Sequence, residues 1–169
     1  WNTVTNWNPN GLPDSLDNVT IVSTTNAPVL NQSRKVNNMT MTSGTLDLGG
    51  YELKIKGNST FTAGTIQNGS VNITGRTTTF NGTHFNARVT AYTGVFNLNG
   101  GEFDLPVMLQ DTGYTNSTGS GNCVFDDSLT IIHDGDNWLK MANTNGDTYN
   151  GPVSIVNHSI NPVYLSISD

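Results

Sequence analysis

Residues 64–109 read GTIQNGSVNITGRTTTFNGTHFNARVTAYTGVFNLNGGEFDLPVML. Val71, Val89 and Val107 stand 18 residues apart in this stretch, and Gly64, Gly82 and Gly100 repeat at the same interval. Each valine opens a short run, Val71-Asn72-Ile73, Val89-Thr90-Ala91 and Val107-Met108-Leu109, whose first and third side chains share one face of a strand. The same form recurs outward in both directions: Val19-Thr20-Ile21, Met39-Thr40-Met41 and Leu53-Lys54-Ile55 before it, Leu129-Thr130-Ile131 and Val153-Ser154-Ile155 after it. A second apolar track runs between the triplets through Leu46, Leu48, Phe61, Ile66, Phe80, Phe85, Phe96, Leu98 and Phe103.

Several strands per repeat, at a period of about 18–24 residues, predict an all-β parallel β-solenoid, whose coils bury their inward side chains by stacking on one another. The alternative is an antiparallel β-sandwich, because Asn-Gly at 81–82, 99–100, 145–146 and 150–151 is also a strong hairpin signal. After Val107 the triplets resume only at Leu129 and then at Val153, wider intervals than before, so an insertion is expected at 110–122, a protruding loop around Tyr114. The whole of 1–169 reads as one domain, with 1–18 as an N-terminal cap in which Trp1, Trp7 and Pro9 cover the first coil. It begins and stops in mid-pattern, as a piece excised from a larger protein would.

Composition agrees with strands and turns. Asn (24), Thr (24), Ser (13) and Gly (18) dominate, whereas Ala, Glu, Lys and Gln together number 14, too few to furnish helices. With 7 Lys+Arg against 13 Asp+Glu the net charge is −6, which leaves no electrostatic footprint for nucleic acid or anionic lipid. No apolar run approaches the ~20 residues of a membrane span, so membrane insertion is not expected. The lone cysteine, Cys123, reads as a buried small hydrophobe.

The opening, Trp1-Asn2-Thr3-Val4-Thr5-Asn6-Trp7-Asn8-Pro9-Asn10-Gly11-Leu12-Pro13 followed by Asp17-Asn18-Val19-Thr20-Ile21, resembles the segments that begin β-solenoid regions in very large secreted surface proteins of Bacteroidetes. Leu46 to Ile55 is similar to a rung of those proteins, and Asn145 to Asn157 to their repeats, while Pro106 to Asp127 falls outside the resemblance. The resemblance implies export, often by the type IX route, and a place in an adhesin-like chain on the bacterial cell surface or secreted from it. It implies no catalytic residues. Asp14-Ser15-Leu16 and Asp127-Ser128-Leu129 fit the short O-glycosylation motif of such organisms. Nine Asn-x-Ser/Thr tripeptides, by contrast, follow from composition.

The chemistry-bearing residues are sparse. Glu102 and Asp104 sit i,i+2 on a strand, with Asp111 one coil on, the kind of carboxylate set a β-helix polysaccharide lyase or hydrolase uses. Asp134 and Asp136 around Gly135 partly imitate an oxygen-rich calcium loop, with Asp126 and Asp127 nearby, but Trp138 stands at the next ligand position. His84, His133 and His158 lack metal-ligand spacing along the chain. Calcium is thus the one candidate cofactor. Exposed aromatics suited to stacking on sugars are Tyr92, Tyr114, Trp138 and Tyr149. Thr40 and Thr42, Thr60 and Thr62, and Thr77 and Thr79 flank residues expected to point inward, but intervals of 20 and 17 do not make the regular ladder that an ice-binding face needs.

The function expected from these features is a non-catalytic, extracellular structural or adhesive segment whose partners are a surface glycan or protein and neighbouring domains of its own chain. The alternatives are a carbohydrate-binding module, a β-helix polysaccharide lyase or hydrolase, and an ice-binding surface.

Overall fold

The computed structural model describes residues 1–165. Because each apolar triplet pairs with the one before and after it, the chain winds as a parallel β-solenoid of about six turns, each coil passing through three faces. The first face holds β1 (Val19–Ile21), β3 (Met39–Met41), β6 (Ser59–Phe61), β8 (Thr77–Phe80) and β10 (Val95–Leu98), and continues as β13 (Ser117–Thr118), β16 (Leu139–Lys140) and β19 (Val163–Tyr164). On the second lie β4 (Thr45–Asp47), the first halves of β7 (Thr65–Ile73) and β9 (His84–Thr93), then β11 (Glu102–Phe103), β14 (Val124–Phe125) and β17 (Thr148–Tyr149). The third comprises β2 (Arg34–Val36), β5 (Glu52–Ile55), the second halves of β7 and β9, β12 (Val107–Asp111), β15 (Leu129–His133) and β18 (Val153–Asn157). Every described ladder is parallel, which excludes the sandwich. Among the described residues the one helical element is a 3-10 turn at Val4–Asn6, and no helix is long and apolar enough to cross a membrane.

The valine column is in register: Val71 pairs with Val89 and Val89 with Val107, and the column runs on to Leu129 and Val153. The lengthened intervals therefore add residues to the coils without shifting the inward parity. Inward side chains of the second face stack likewise. Phe85, Phe103, Phe125 and Tyr149 form a pile with ring centroids 5.1, 5.0 and 5.6 Å apart and planes within 11° of parallel. Truncating one fully buried phenylalanine of this pile removes about 3–5 kcal/mol.

The segment expected to protrude, 110–122, does not do so as a whole but follows the path of the coil. Gln110 and Asp111 end β12, Ser117 and Thr118 form β13, and Asp111, Gly113, Ser117, Gly119 and Gly121 are buried. Tyr114, Thr115 and Asn116 alone bow outward in succession, at the corner between the third and first faces. A parallel coil can absorb inserted residues at a corner while its ladders stay paired. The Ser117 hydroxyl accepts the Phe96 N–H at 2.9 Å, a side-chain bond that joins β10 to β13 where the backbone ladder is interrupted.

The corners also explain a set of glycines. At Gly75 an added Cβ would lie 1.7 Å from the Gly57 carbonyl oxygen, and at Gly113 1.7 Å from that of Gly94; at Gly135 it would meet the Gly113 oxygen at 2.5 Å. These glycines let successive turns approach more closely than any side chain permits. Gly64, Gly82 and Gly100, the glycine markers of the repeat, have φ of 93°, 96° and 105° and turn the chain between the first and second faces.

The two ends differ. Trp1 is buried, its ammonium donates to the Val29 carbonyl at 2.8 Å, and Trp7 packs edge-on against it at 4.7 Å while donating Nε1–H to the Trp1 carbonyl. At the other end Val153 and Ile155 keep the inward parity of their column yet are 36% and 42% exposed.

Candidate functional site

Outward positions of the first face form three columns. Asn18, Asn38 and Asn58 begin one, continued by Thr77 and Val95; Thr20, Thr40, Thr60, Thr79 and Asn97 make the central one; Val22, Thr42, Thr62, Asn81 and Asn99 the last. The central column is a true ladder, because the register pairs Thr60 with Thr79 rather than with Thr77. No charged side chain occupies these positions, and the face stays uncharged through Thr118 until Lys140.

Local bonds hold the array. Asn38 Nδ2 donates to Asn18 Oδ1 at 2.7 Å, the Asn58 N–H to Asn38 Oδ1 at 2.6 Å and the Thr77 N–H to Asn58 Oδ1 at 3.1 Å, so the asparagines ladder along the corner. Thr62 donates its hydroxyl to the Met41 carbonyl at 2.9 Å, and Asn97 Nδ2 donates to the Thr79 hydroxyl at 3.2 Å. Side chains so restrained present their remaining hydrogen-bonding groups at fixed positions, with rungs about 4.8 Å apart. The surface is regular and nearly neutral, suited to many small contacts with an extended polar partner.

The aromatic candidates scatter. Tyr92 stands on the third face and Tyr114 on the corner beside Arg76 and Gly94, and both are exposed. Trp138 packs edge-on to Tyr164, and the Lys140 ammonium lies 5.4 and 5.9 Å from their two rings. Tyr149, expected on the surface, is instead the last ring of the buried pile. Its hydroxyl bonds to Asp147 at 3.2 Å and to the Leu165 carbonyl at 3.3 Å, and burial beside Asp147 pushes its pKa well up.

Asp134 and Asp136 flank the buried Gly135 and converge on no third ligand among the described residues. Asp134 meets His158 Nδ1 at 2.6 Å and accepts Gln110 Nε2 at 2.6 Å, contacts that lower its pKa. Asp136 donates its backbone N–H to the Gly113 carbonyl. Asp111 does not join Glu102 and Asp104. It is fully buried at the corner after the third face, where its carboxylate accepts Asn137 Nδ2 at 2.9 Å and the Gly113 N–H at 3.1 Å, with His133 Nδ1 3.4 Å away. Burial raises its pKa, against the lowering by those hydrogen bonds. His133 Nε2 lies 2.9 Å from the Asn137 carbonyl, and Asn137 also donates to Thr115, so the cluster pins the corner rather than opening to solvent.

Glu102 and Asp104 do converge, with a histidine that spacing along the chain does not single out. Glu102 pairs across the ladder with His84, and His84 Nε2 lies 2.8 Å from Asp104 Oδ2. Cys123 is buried, its thiol pKa pushed up to about 11 by desolvation, and its sulfur accepts the Gly100 N–H at 3.4 Å. At the N-terminal end, Trp7, Pro9, Leu12, Thr20, Val22 and Asn26 line an open groove. No protein-family model matches the sequence, and no curated protein or solved structure matches it either.

Proposed function

We propose that this chain is a non-catalytic, extracellular β-solenoid segment of a bacterial surface protein, and that its first face is the adhesive surface. The observation that carries the reading is the in-register, uncharged Asn/Thr array on a continuous parallel sheet. Such a face meets a neutral, polyhydroxylated polymer with repeated donors and acceptors and desolvates no charge, so affinity accumulates over many rungs. The resemblance of the opening to exported Bacteroidetes proteins supports the extracellular placement.

The test is retention of the folded protein on insoluble neutral polysaccharides and on a glycan array, with Thr40→Lys and Thr60→Lys as probes. A lysine in the central column should weaken binding at least tenfold while circular dichroism is unchanged. Equal binding by the lysine variants, or no neutral glycan bound, would remove the face from consideration. Reducing-sugar release from a bound polymer, with or without calcium, would instead support the lyase or hydrolase alternative.

A second reading, ice binding, is favoured by the register of Thr20, Thr40, Thr60 and Thr79. Thermal hysteresis in the wild type that Thr60→Lys abolishes would select it over glycan adhesion.

A further inference from the structure

We propose that His84, Glu102 and Asp104 form a binding site for a divalent transition-metal ion, zinc in the first instance, on the second face. One ligand atom from each residue lies within 4.8 Å of the other two, and all three side chains point outward from two adjacent rungs of one parallel ladder. The strands position them: Glu102 stands directly opposite His84, and Asp104 follows two residues along the same face. Sites built on strands hold their ligands more closely than sites on loops do.

Electrostatics favour a cation there. Among the described residues, the carboxylates within 4.0 Å of a basic side chain all meet histidines, and no lysine or arginine bridges an acid. The Glu102 carboxylate accepts no hydrogen bond among the described residues, and the partner of Asp104 is His84 itself. A divalent ion shared by the three side chains would attract both carboxylates at once.

The donor set decides which ion. One imidazole and two carboxylates suit zinc and its neighbours in the first transition series, whereas calcium and magnesium prefer oxygen alone. Bonds of about 2.0–2.2 Å to a tetrahedral ion place ligand atoms about 3.3 Å apart. The 2.8 Å contact between His84 and Asp104 must open slightly and Glu102 must swing in, small rotations for side chains that are partly or fully exposed. Water completes the coordination. With three protein ligands and an open rim, the affinity expected is micromolar rather than structural.

The other histidine pairs supply the internal control. His158 and Asp134 touch at 2.6 Å on the surface but have no third ligand among the described residues, so the two sites separate a general affinity of His–Asp pairs from the trio.

The experiment is zinc titration of the 169-residue chain by competition with a chromogenic chelator and by calorimetry, calcium being titrated in parallel. The variants are His84→Ala, Glu102→Gln and His158→Ala, each checked for its fold by circular dichroism. The expected result is one zinc per chain, a rise in melting temperature on loading, a tenfold or greater loss of affinity in His84→Ala and Glu102→Gln, and none in His158→Ala. Absence of stoichiometric zinc uptake, or zinc binding that survives His84→Ala, overturns the site. Calcium bound as tightly as zinc overturns the role given to the imidazole. None of these outcomes bears on glycan retention by the first face.

Discussion

Replacing Gly113 with alanine places a Cβ 1.7 Å from the carbonyl oxygen of Gly94 in the preceding coil, more than 1 Å short of the 3.0 Å that such contacts keep. The coils cannot part freely there. The Thr112 N–H donates to the Thr93 carbonyl at 3.0 Å, the Asp136 N–H to the Gly113 carbonyl at 2.9 Å, and the Gly113 N–H to Asp111 at 3.1 Å. Opening the corner by more than about 1 Å breaks at least two of these bonds, each worth about 1 kcal/mol net, and strands buried polar groups at a further cost of about 1–3 kcal/mol. The expected loss is about 3–5 kcal/mol, which at a urea m-value of about 2 kcal/mol/M lowers the midpoint by about 1.5–2.5 M. Gly75→Ala should behave alike, since its Cβ meets Gly57 at the same 1.7 Å. The control is Gly146→Ala: nothing lies within 4 Å of its Cβ, and stability should change by no more than about 1 kcal/mol, in the stabilising direction if at all. Urea unfolding followed by far-UV circular dichroism and tryptophan fluorescence measures all three. Gly75→Ala and Gly113→Ala within about 0.5 kcal/mol of wild type would refute the close approach of the coils at this corner.

Two aspartates should respond to pH in opposite senses. Asp47 is held below its ordinary 3.8, first by the Gly49 N–H, so the stability it contributes is present above 3.8 and lost as pH falls through its folded value; Asp147 is raised by burial, so its folded state is favoured at low pH and that advantage disappears as pH rises from 3.8 through the folded value. Urea midpoints from pH 2.5 to about 7 should show Asp47→Asn losing ground on wild type as pH rises and Asp147→Asn gaining it, and parallel curves would contradict both assignments. At the C-terminal end, the exposed Val153, Ile155 and Val156 of β18, which pairs with β15 alone among the described residues, should drive concentration-dependent self-association, which Ile155→Lys should suppress in sedimentation velocity; a wild type that stays monomeric at high concentration would show that this edge is not adhesive.

The valine and phenylalanine columns are legible in the sequence because apolar side chains of one parity must share the interior, and a fixed interval then places them in one stack. Tyr149 is equally legible by register. Phe103, Phe125 and Tyr149 are spaced along the chain just as Val107, Leu129 and Val153 are, but a tyrosine in a polar setting reads as surface when judged alone. Asp111 and His133 continue the inward parity of Leu109 and Ile131, against their hydropathy. Parity prevails because Asn137 Nδ2 and the Gly113 N–H bond the Asp111 carboxylate and the Asn137 carbonyl meets His133 Nε2, while His133 Nδ1, 3.4 Å from Asp111, has no hydrogen-bond partner among the described residues. The threonine ladder is obscured by a small change in coil length: the register pairs Thr40 with Thr60 and Thr60 with Thr79, whereas matching triplet to triplet sets Thr60 against Thr77. Metal-ligand spacing fails for His84 along the chain, because its neighbours Glu102 and Asp104 come from the next coil.

Charge is distributed along the solenoid as well as around it. Six of the seven lysines and arginines fall between Arg34 and Arg88, while eight acids fall between Glu102 and Asp147. Rungs advance by about 4.8 Å, so the centres of these two groups are separated by more than the ~8 Å Debye length at physiological salt. Each half therefore acts on its own surroundings, and a partner of either sign would be drawn to one half and repelled by the other. The first face escapes this division over the basic stretch and the first rung of the acidic one, since its outward positions from Asn18 to Thr118 carry no charge. A partner that engages several coils at once gains from that neutrality, since no rung along the contact penalises the next. The trio lies at the seam of the two halves, where His84 from the last rung of the basic stretch meets Glu102 and Asp104, the first acids of the next, and no lysine or arginine bridges either carboxylate.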